Sequence, residues 1–305
     1  MDDFEFIPGW QDLPEEVQAI AELQPIGSFE DTASGQQSDP LPDFVSLHDA
    51  AVKVLGKTLP IRSQGSAGTC VAFGTARAVE LTMLVAIARN GAFSFPANGI
   101  ATEPIYGGSR IEVGKGRLGR GDGSIGAWAA EFVKGWGVCA RQMYPAYNID
   151  LSTYSVDTSR KWGSAGIPDA FEPTLKQHPV AGIAKVTTVD GALRALAAGH
   201  GIAESSGRLL NRSRSSDGTI GTYRGGGHCM ACVGYKKING RYKFQIDNSW
   251  GEYHTGGLDP QFPYPGGGLI DQDDFQAMLN QGDTWTFSDV VGFPARDYID
   301  WGSIG

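Results

Sequence analysis

Three short runs in this 305-residue chain hold residue types that can carry nucleophilic chemistry. The first is QGSAGTCVAFG, Gln64 to Gly74, in which Cys70 follows a glycine-rich turn and opens an apolar, helix-periodic stretch. A thiol at a helix N-terminus meets unsatisfied backbone N–H groups and the positive end of the helix dipole, and both favour thiolate. The second run is GGGHCMACVGY, Gly225 to Tyr235. It places His228 at the start of an apolar strand, behind glycines that let another backbone come close. The third is QIDNSWG, Gln245 to Gly251, where Asn248 ends a strand and is followed by Trp250, which can shield it. An asparagine carbonyl that accepts the proton of one imidazole nitrogen fixes the tautomer and aims the other nitrogen at sulfur. A cysteine at a helix start is, alone, more often inert packing than a nucleophile, so the reading rests on the three runs together.

The remaining candidates read more plainly. His48, His178, His200 and His254 have no such context and are expected as core or surface residues, although His254 lies just past the loop that follows Asn248. Cys229 and Cys232 form a single C-x-x-C without a second pair, short of the four ligands a zinc site takes, and no metal or cofactor is expected. Cys139 reads as structural. Asp273-Asp274 reads as a helix N-terminus rather than an acid/base pair.

Elements that could position these residues follow from periodicity. Val71, Ala72, Ala76, Val79, Met83 and Ile87 recur at helical spacing, which predicts a helix over Thr69–Arg89 with Cys70 at its start. Further helices are predicted over Ile125–Lys134, stopped by Gly135 and Gly137, and over Asp190–Ala198, stopped by Gly199. After His228 the period changes to two. CMACVGYKK and RYKFQIDNSW read as strands joined by a hairpin turn at Asn239-Gly240. Helices first and strands second indicate an α+β chain with two lobes. The expected organisation is an N-terminal arm over 1–41, with a short helix near Glu15–Leu23 and a polar linker GSFEDTASGQQSDPLP. A main domain follows over 42–280, with a helical lobe at about 65–150 and a β-rich lobe at about 180–280. A tail over 281–305 carries Trp285, Phe287, Phe293, Tyr298 and Trp301, and must pack on its own domain or on a partner. Residues 252–268, rich in Gly and Pro, are expected as a surface loop.

Composition narrows the function classes. A formal charge of −9 argues against nucleic acid or anionic membrane as the main partner. The longest apolar stretch, Ala78 to Ala88, is too short and interrupted to span a bilayer, and MDDFEFIPGW lacks the pattern of a secretory signal, so the expectation is synthesis into the cytoplasm. Four cysteines do not make a disulfide framework over this length, and 43 glycines indicate a turn-rich fold.

Taken together, the three runs resemble the papain family of cysteine peptidases (peptidase C1). Gln64, Gly65, Gly68, Cys70, Ala72 and Phe73 fit that family's nucleophile run; His228 with Val233-Gly234-Tyr235 fits its histidine strand; Asn248 to Gly251 reproduces its Asn-Ser-Trp-Gly. GDGSIGAWAAEFVKGWGV and the Met143–Pro145 run resemble its glycine-rich substrate loop, the helix after it and a following Tyr-Pro. The resemblance covers roughly 42–280 and implies a two-lobed fold, a helical lobe facing an antiparallel β-barrel-like lobe across a cleft. It implies a thiol protease in which Cys70 attacks the scissile carbonyl and His228 is base and acid. Asn248 would orient His228, and Gln64 with the Cys70 N–H would form the oxyanion hole. Gly123 and Ser124 would pair with peptide substrate, and Gly227, Ser205 and Trp250 would line the cleft. The sequence departs from the family at Ala67 and Gly121, where a disulfide often stands, at Val71, and at GEYHTGG, where a second Trp-Gly is missing. Two other readings stay open: a structural or assembly component of a larger particle such as a phage virion, binding through the arm and tail, or an amidase that cuts peptidoglycan cross-links.

Overall fold

The computed structural model describes residues 7–288 other than 92, 93, 177 and 179, together with Tyr298. Helices α1 (Pro14–Glu22), α2 (Leu47–Leu55), α3 (Cys70–Asn90), α4 (Glu103–Gly108), α5 (Gly126–Trp136), α6 (Val156–Ala165) and α7 (Glu172–Leu175) dominate the first half; α8 (Val189–Ala197) and α9 (Gln272–Leu279) follow. The strands are β1 (Phe44–Ser46), β2 (Met143–Tyr144), β3 (Ile149–Asp150), β4 (Ile183–Lys185), β5 (Ile202–Arg214), β6 (Ile220–Ile238), β7 (Arg241–Asp247), β8 (Thr255–Gly256), β9 (Gly267–Asp271) and β10 (Asp283–Phe287). One sheet runs β4-β10-β5-β6-β7-β9, with β1 added to β6 and β8 to β5; among the described residues these strand pairs are antiparallel except β5–β8, which is parallel. The architecture is the expected two-lobed α+β fold.

Helix α3 is the joint between the lobes. It is mostly apolar and buried on every side from Cys70 through Ala86, with the enclosed charges Arg77 and Glu80 held in ion pairs. Its first half (Val71, Ala72, Ala76, Val79) packs with Ile105, Trp128, Phe132 and Trp162 in the helical core. Its second half (Leu81, Leu84, Val85) packs with Val233, Phe244 and Phe275 in the sheet core. Gly74 makes the close approach possible: a Cβ there would lie 2.7 Å from Cys229 Sγ on β6. That contact sets the start of α3 beside the histidine strand. Gly91, left-handed at φ 61°, ends the helix.

Several expectations are sharpened or altered. The β6–β7 register pairs Ile238 with Arg241, leaving Asn239 and Gly240 at φ 50° and 81°, the two-residue turn predicted from Asn-Gly. Strand β6 begins at Ile220, well before His228; Gly225–Gly227 form a bulge opposite Gly207, where β5 shifts register between Ser206, paired with His228, and Arg208, paired with Arg224. The polar run after α1 is not a solvated linker: Phe29 is buried in the sheet core, and Glu30 accepts hydrogen bonds from the Thr187 and Thr188 N–H groups. Residues 252–268 bury His254, Asp259, Phe262 and Tyr264. Of the aromatic tail, Trp285 and Phe287 belong to β10, fully buried between β4 and β5, so this part packs on its own sheet. Tyr298 Oη accepts from Arg194 Nη1 at 3.1 Å, while Phe293 and Trp301 lie outside the described residues.

Candidate active site

Cys70 is the first residue of α3, after Thr69 in non-helical geometry at the N-cap. The turn before it is tied down: Gly68 N–H donates to Asp122 Oδ2 at 3.2 Å, and Thr69 Oγ1 shares a 2.8 Å hydrogen bond with Tyr154 Oη. Backbone N–H groups of Cys70, Val71, Cys229 and Gly9 bear on the sulfur and favour thiolate, yet complete burial outweighs them and pushes the thiol up to about 12.

His228 stands on β6 immediately before Cys229, so the strand that supplies an N–H to the sulfur also carries the imidazole. Its Nε2 lies 2.8 Å from Asn248 Oδ1. The polarity of this bond is fixed. Ser249 N–H, which can only donate, reaches Asn248 Oδ1 at 2.7 Å, so Oδ1 is the acceptor and His228 Nε2 bears the proton. In the neutral ring Nδ1 then carries the lone pair. Burial lowers His228 to about 4, with the Asn248 bond pulling the other way. Trp250 stacks on the imidazole at 4.7 Å and covers the pair.

Gln64 reaches the site because its strand-like segment pairs with the segment after Asn248. Gln64 N–H donates to Ser249 O at 2.9 Å, and Ser63 bridges Trp250. Ser249 Oγ donates to Gln64 Oε1 at 2.8 Å, and one Gln64 Nε2 hydrogen goes to Ala67 O at 3.0 Å, which leaves the other directed by a fixed carboxamide. Beneath Asn248, Asp247 is held by His48 Nε2 at 2.9 Å and Arg77 Nε at 3.4 Å, all buried. Gln64, Asn248 and His228 are thus linked through Ser249, and Cys70 lies against the backbone of Cys229, the residue after His228. Cys229 and Cys232, three apart on a strand, face opposite sides and belong to different cores, the helical and the sheet core respectively.

The cleft is filled by residues 8–11. Gly9 N–H donates to Gly227 O at 3.0 Å, Ser124 N–H to Gly9 O at 2.8 Å, and Gln11 N–H to Ser124 O at 2.9 Å. A Cβ on Gly9 would lie 2.7 Å from Cys70 Sγ and 2.6 Å from the Gly68 backbone, so only glycine fits over the thiol. Gly123, at φ 107°, leaves room for Gln11 in the same way, and the space a Cβ would need at Gly227 is taken by the Trp10 carbonyl. The arm presents an N–H to the sulfur, while the Gly9 carbonyl is occupied by Ser124. Trp10 itself fills a pocket beside Ser205 and Gly126, where its indole N–H donates to Asp283 Oδ2 at 2.7 Å. Asp283 also accepts from Gly126 N and Ala127 N at the start of α5 and from Trp285 Nε1, but its complete burial raises its pKa. The space beside Gly126 and Gly227 is thus taken by the chain's own Trp10, through its indole and its carbonyl respectively.

The reading of the sequence missed Trp10, Asp283, His48, Arg77 and His254 as contributors. Trp10, Asp283, His48 and Arg77 act across long stretches of chain, and His254, though only six residues from Asn248, carries no local motif; only the missing Trp-Gly after Gly251 hinted that something else shields Asn248.

No protein-family model matches the chain, and no curated protein matches it. Solved structures do. Xylellain, a cysteine protease from Xylella fastidiosa, is 16% identical, with 95% of each chain covered and a TM-score of 0.56. Procathepsin B S9 from Trypanosoma congolense is 16% identical over 93% of this chain and 86% of its own, with a TM-score of 0.56. The digestive procathepsin L 3 of Tenebrio molitor larval midgut is 15% identical over 83% and 71%, with a TM-score of 0.52. At these identities the likeness is one of architecture, and it agrees with the topology: the chain has the papain-like cysteine-protease fold.

Proposed function

We propose that this protein is a thiol-dependent peptidase whose resting form is closed by its own residues 8–11. The observation that carries the reading is the convergence of Cys70 at a helix start, His228 bonded through Nε2 to Asn248, and Gln64 with an oriented side chain. In the open form, His228 Nδ1 takes the proton of Cys70 Sγ and the thiolate attacks a peptide carbonyl carbon. The oxyanion is met by the Gln64 Nε2–H and the Cys70 backbone N–H. Collapse breaks the C–N bond, and the imidazolium protonates the leaving amine. Water, deprotonated by His228, then releases the acid from the thioester. Ser124 and Gly227, whose backbone groups now bind the arm, are the groups that would pair with a substrate strand.

The closed form suits this reading. With the cleft dry, the thiol is held up and the imidazole down, so the neutral pair is favoured over the ion pair. The test is turnover of a fluorogenic peptide series by the full chain carrying Trp10→Ala, with Cys70→Ala as control. Hydrolysis that survives Cys70→Ala, or none across the series while an epoxide labels Cys70 freely, would sink the proposal.

A further inference from the structure

His254, inside the run GEYHTGG where the Trp-Gly is missing, has a role that neither composition nor motif assigned. His254 is buried, and β8, which starts at the next residue, pins it by pairing Thr255 and Gly256 with Ser213 and Arg214 of β5. That register brings His254 Nδ1 to 3.1 Å from Asn211 O and Nε2 to 2.9 Å from Asn248 Nδ2. A carbonyl oxygen can only accept, so Nδ1 bears the proton; Nε2 then has a lone pair and accepts from the Asn248 amide. The far end of the chain is equally fixed, because Ser249 N–H holds Asn248 Oδ1. One directional relay results, from His228 Nε2–H to Asn248 Oδ1, and from Asn248 Nδ2–H to His254 Nε2. The three rings of His228, Trp250 and His254 are stacked over it, at 4.7 Å and 5.9 Å.

We propose that His254 is a positioning residue that locks the Asn248 amide with its oxygen toward His228 and thereby holds His228 in the tautomer whose Nδ1 can take the thiol proton. The inference rests on the peptidase reading for its consequence in catalysis but not for its geometry. If the amide rotated by half a turn, its NH₂ would face His228 Nε2, the ring proton would move to Nδ1, and the base would be lost. Protonation of His254 has a similar effect, since Nε2–H would oppose Asn248 Nδ2–H. The groups that face His254 act in both directions: Arg214 on β5 and His228 on β6 oppose its protonation, while the backbone of Asn211 and Arg212 on β5, the latter with its side chain over the neighbouring Tyr253 ring, favours it. Burial and the Arg214 charge accordingly hold it near 4, and the Asn211 carbonyl pulls the other way.

The test compares His254→Phe, which keeps a stacking ring without the acceptor, with His254→Gln, whose carbonyl oxygen can stand where Nε2 stands and does not titrate. The first readout is ¹⁵N imidazole NMR of the full-length protein, which needs no turnover. His254 is expected as the Nδ1–H tautomer and His228 as Nε2–H, with His228 shifting to a mixture in His254→Phe and returning in His254→Gln. The second readout is peptide hydrolysis in the Trp10→Ala background. kcat is expected to fall roughly tenfold or more in His254→Phe with KM little changed, since wrong-tautomer histidines can cost up to about 10⁴. In His254→Gln, kcat should recover and the acid limb should lose one ionisation. An Nε2–H tautomer at His254, or a His228 tautomer unmoved in folded His254→Phe, overturns the proposal. So does equal loss of kcat in both variants. Absence of all hydrolysis in the Trp10→Ala parent overturns the peptidase reading, and the NMR still decides the relay.

Discussion

Replacing Trp10 by alanine should open the cleft. The indole is 5% exposed, its N–H donates to a buried carboxylate, and its neighbour Gly9 seals the thiol. Burial of a tryptophan removes about 150–250 Å² from water, or about 4–6 kcal/mol at about 25 cal/mol per Å². The hydrogen bond to the carboxylate adds about 1.5–3 kcal/mol against water. Part of both is spent on ordering the arm, so a net loss of about 3 kcal/mol in docking is a working figure for the substitution, in line with large-to-small core changes. At about 1.4 kcal/mol per decade, the open fraction should rise by about 10²-fold. The assay is the second-order rate of Cys70 modification by an irreversible thiol epoxide at neutral pH. Trp10→Phe, which keeps most of the area and loses the N–H, should fall between the two, roughly tenfold above wild type. Circular dichroism serves as a check on folding. A folded Trp10→Ala protein that is labelled at the wild-type rate would refute the argument that the indole closes the site.

Three further outcomes follow from the same geometry. Closed, His228 is held near 4; open and hydrated, it returns toward about 6.5, so between these values the open form binds the extra proton. Closure should therefore lose up to about 3 kcal/mol as pH falls from about 6.5 to 4, seen as faster hydrogen exchange of the Gly9–Gln11 amides after correction for intrinsic rates; exchange that slows on acidification would contradict it. Gln64→Ala in the Trp10→Ala background should lower kcat by about 10²–10³ while Cys70 labelling changes little, and an equal loss of labelling would indicate a collapsed site instead of a lost oxyanion donor. Asp247→Asn removes the charge that Arg77 and His48 share in the interior and should cost about 3–5 kcal/mol in chemical denaturation, with less than about 1 kcal/mol arguing that the network is dispensable.

Much of this protein was legible in the sequence because the relevant signals are local. Cys70 after a glycine-rich turn, the helical period behind it, the Asn-Gly hairpin and Asn248-Ser249-Trp250 each announce themselves within a dozen residues. Their order gives the two lobes, and the Asp273-Asp274 pair was legible as the first turn of α9. What the tertiary structure alone decided is non-local. Trp10 meets Asp283 across nearly the whole chain, His48 meets Asp247, and β10 slots between β4 and β5 although its residues read as a tail. None of these contacts has a period or a spacing, because burial and hydrogen-bond satisfaction are properties of the packed whole. The same holds for His254: its neighbours in sequence say nothing, and only the β5–β8 pairing turns it toward Asn248. Whether Cys70 is reactive is likewise a tertiary matter. The helix start inclines the thiol toward thiolate, but the arm laid over it excludes water, and in this form desolvation prevails.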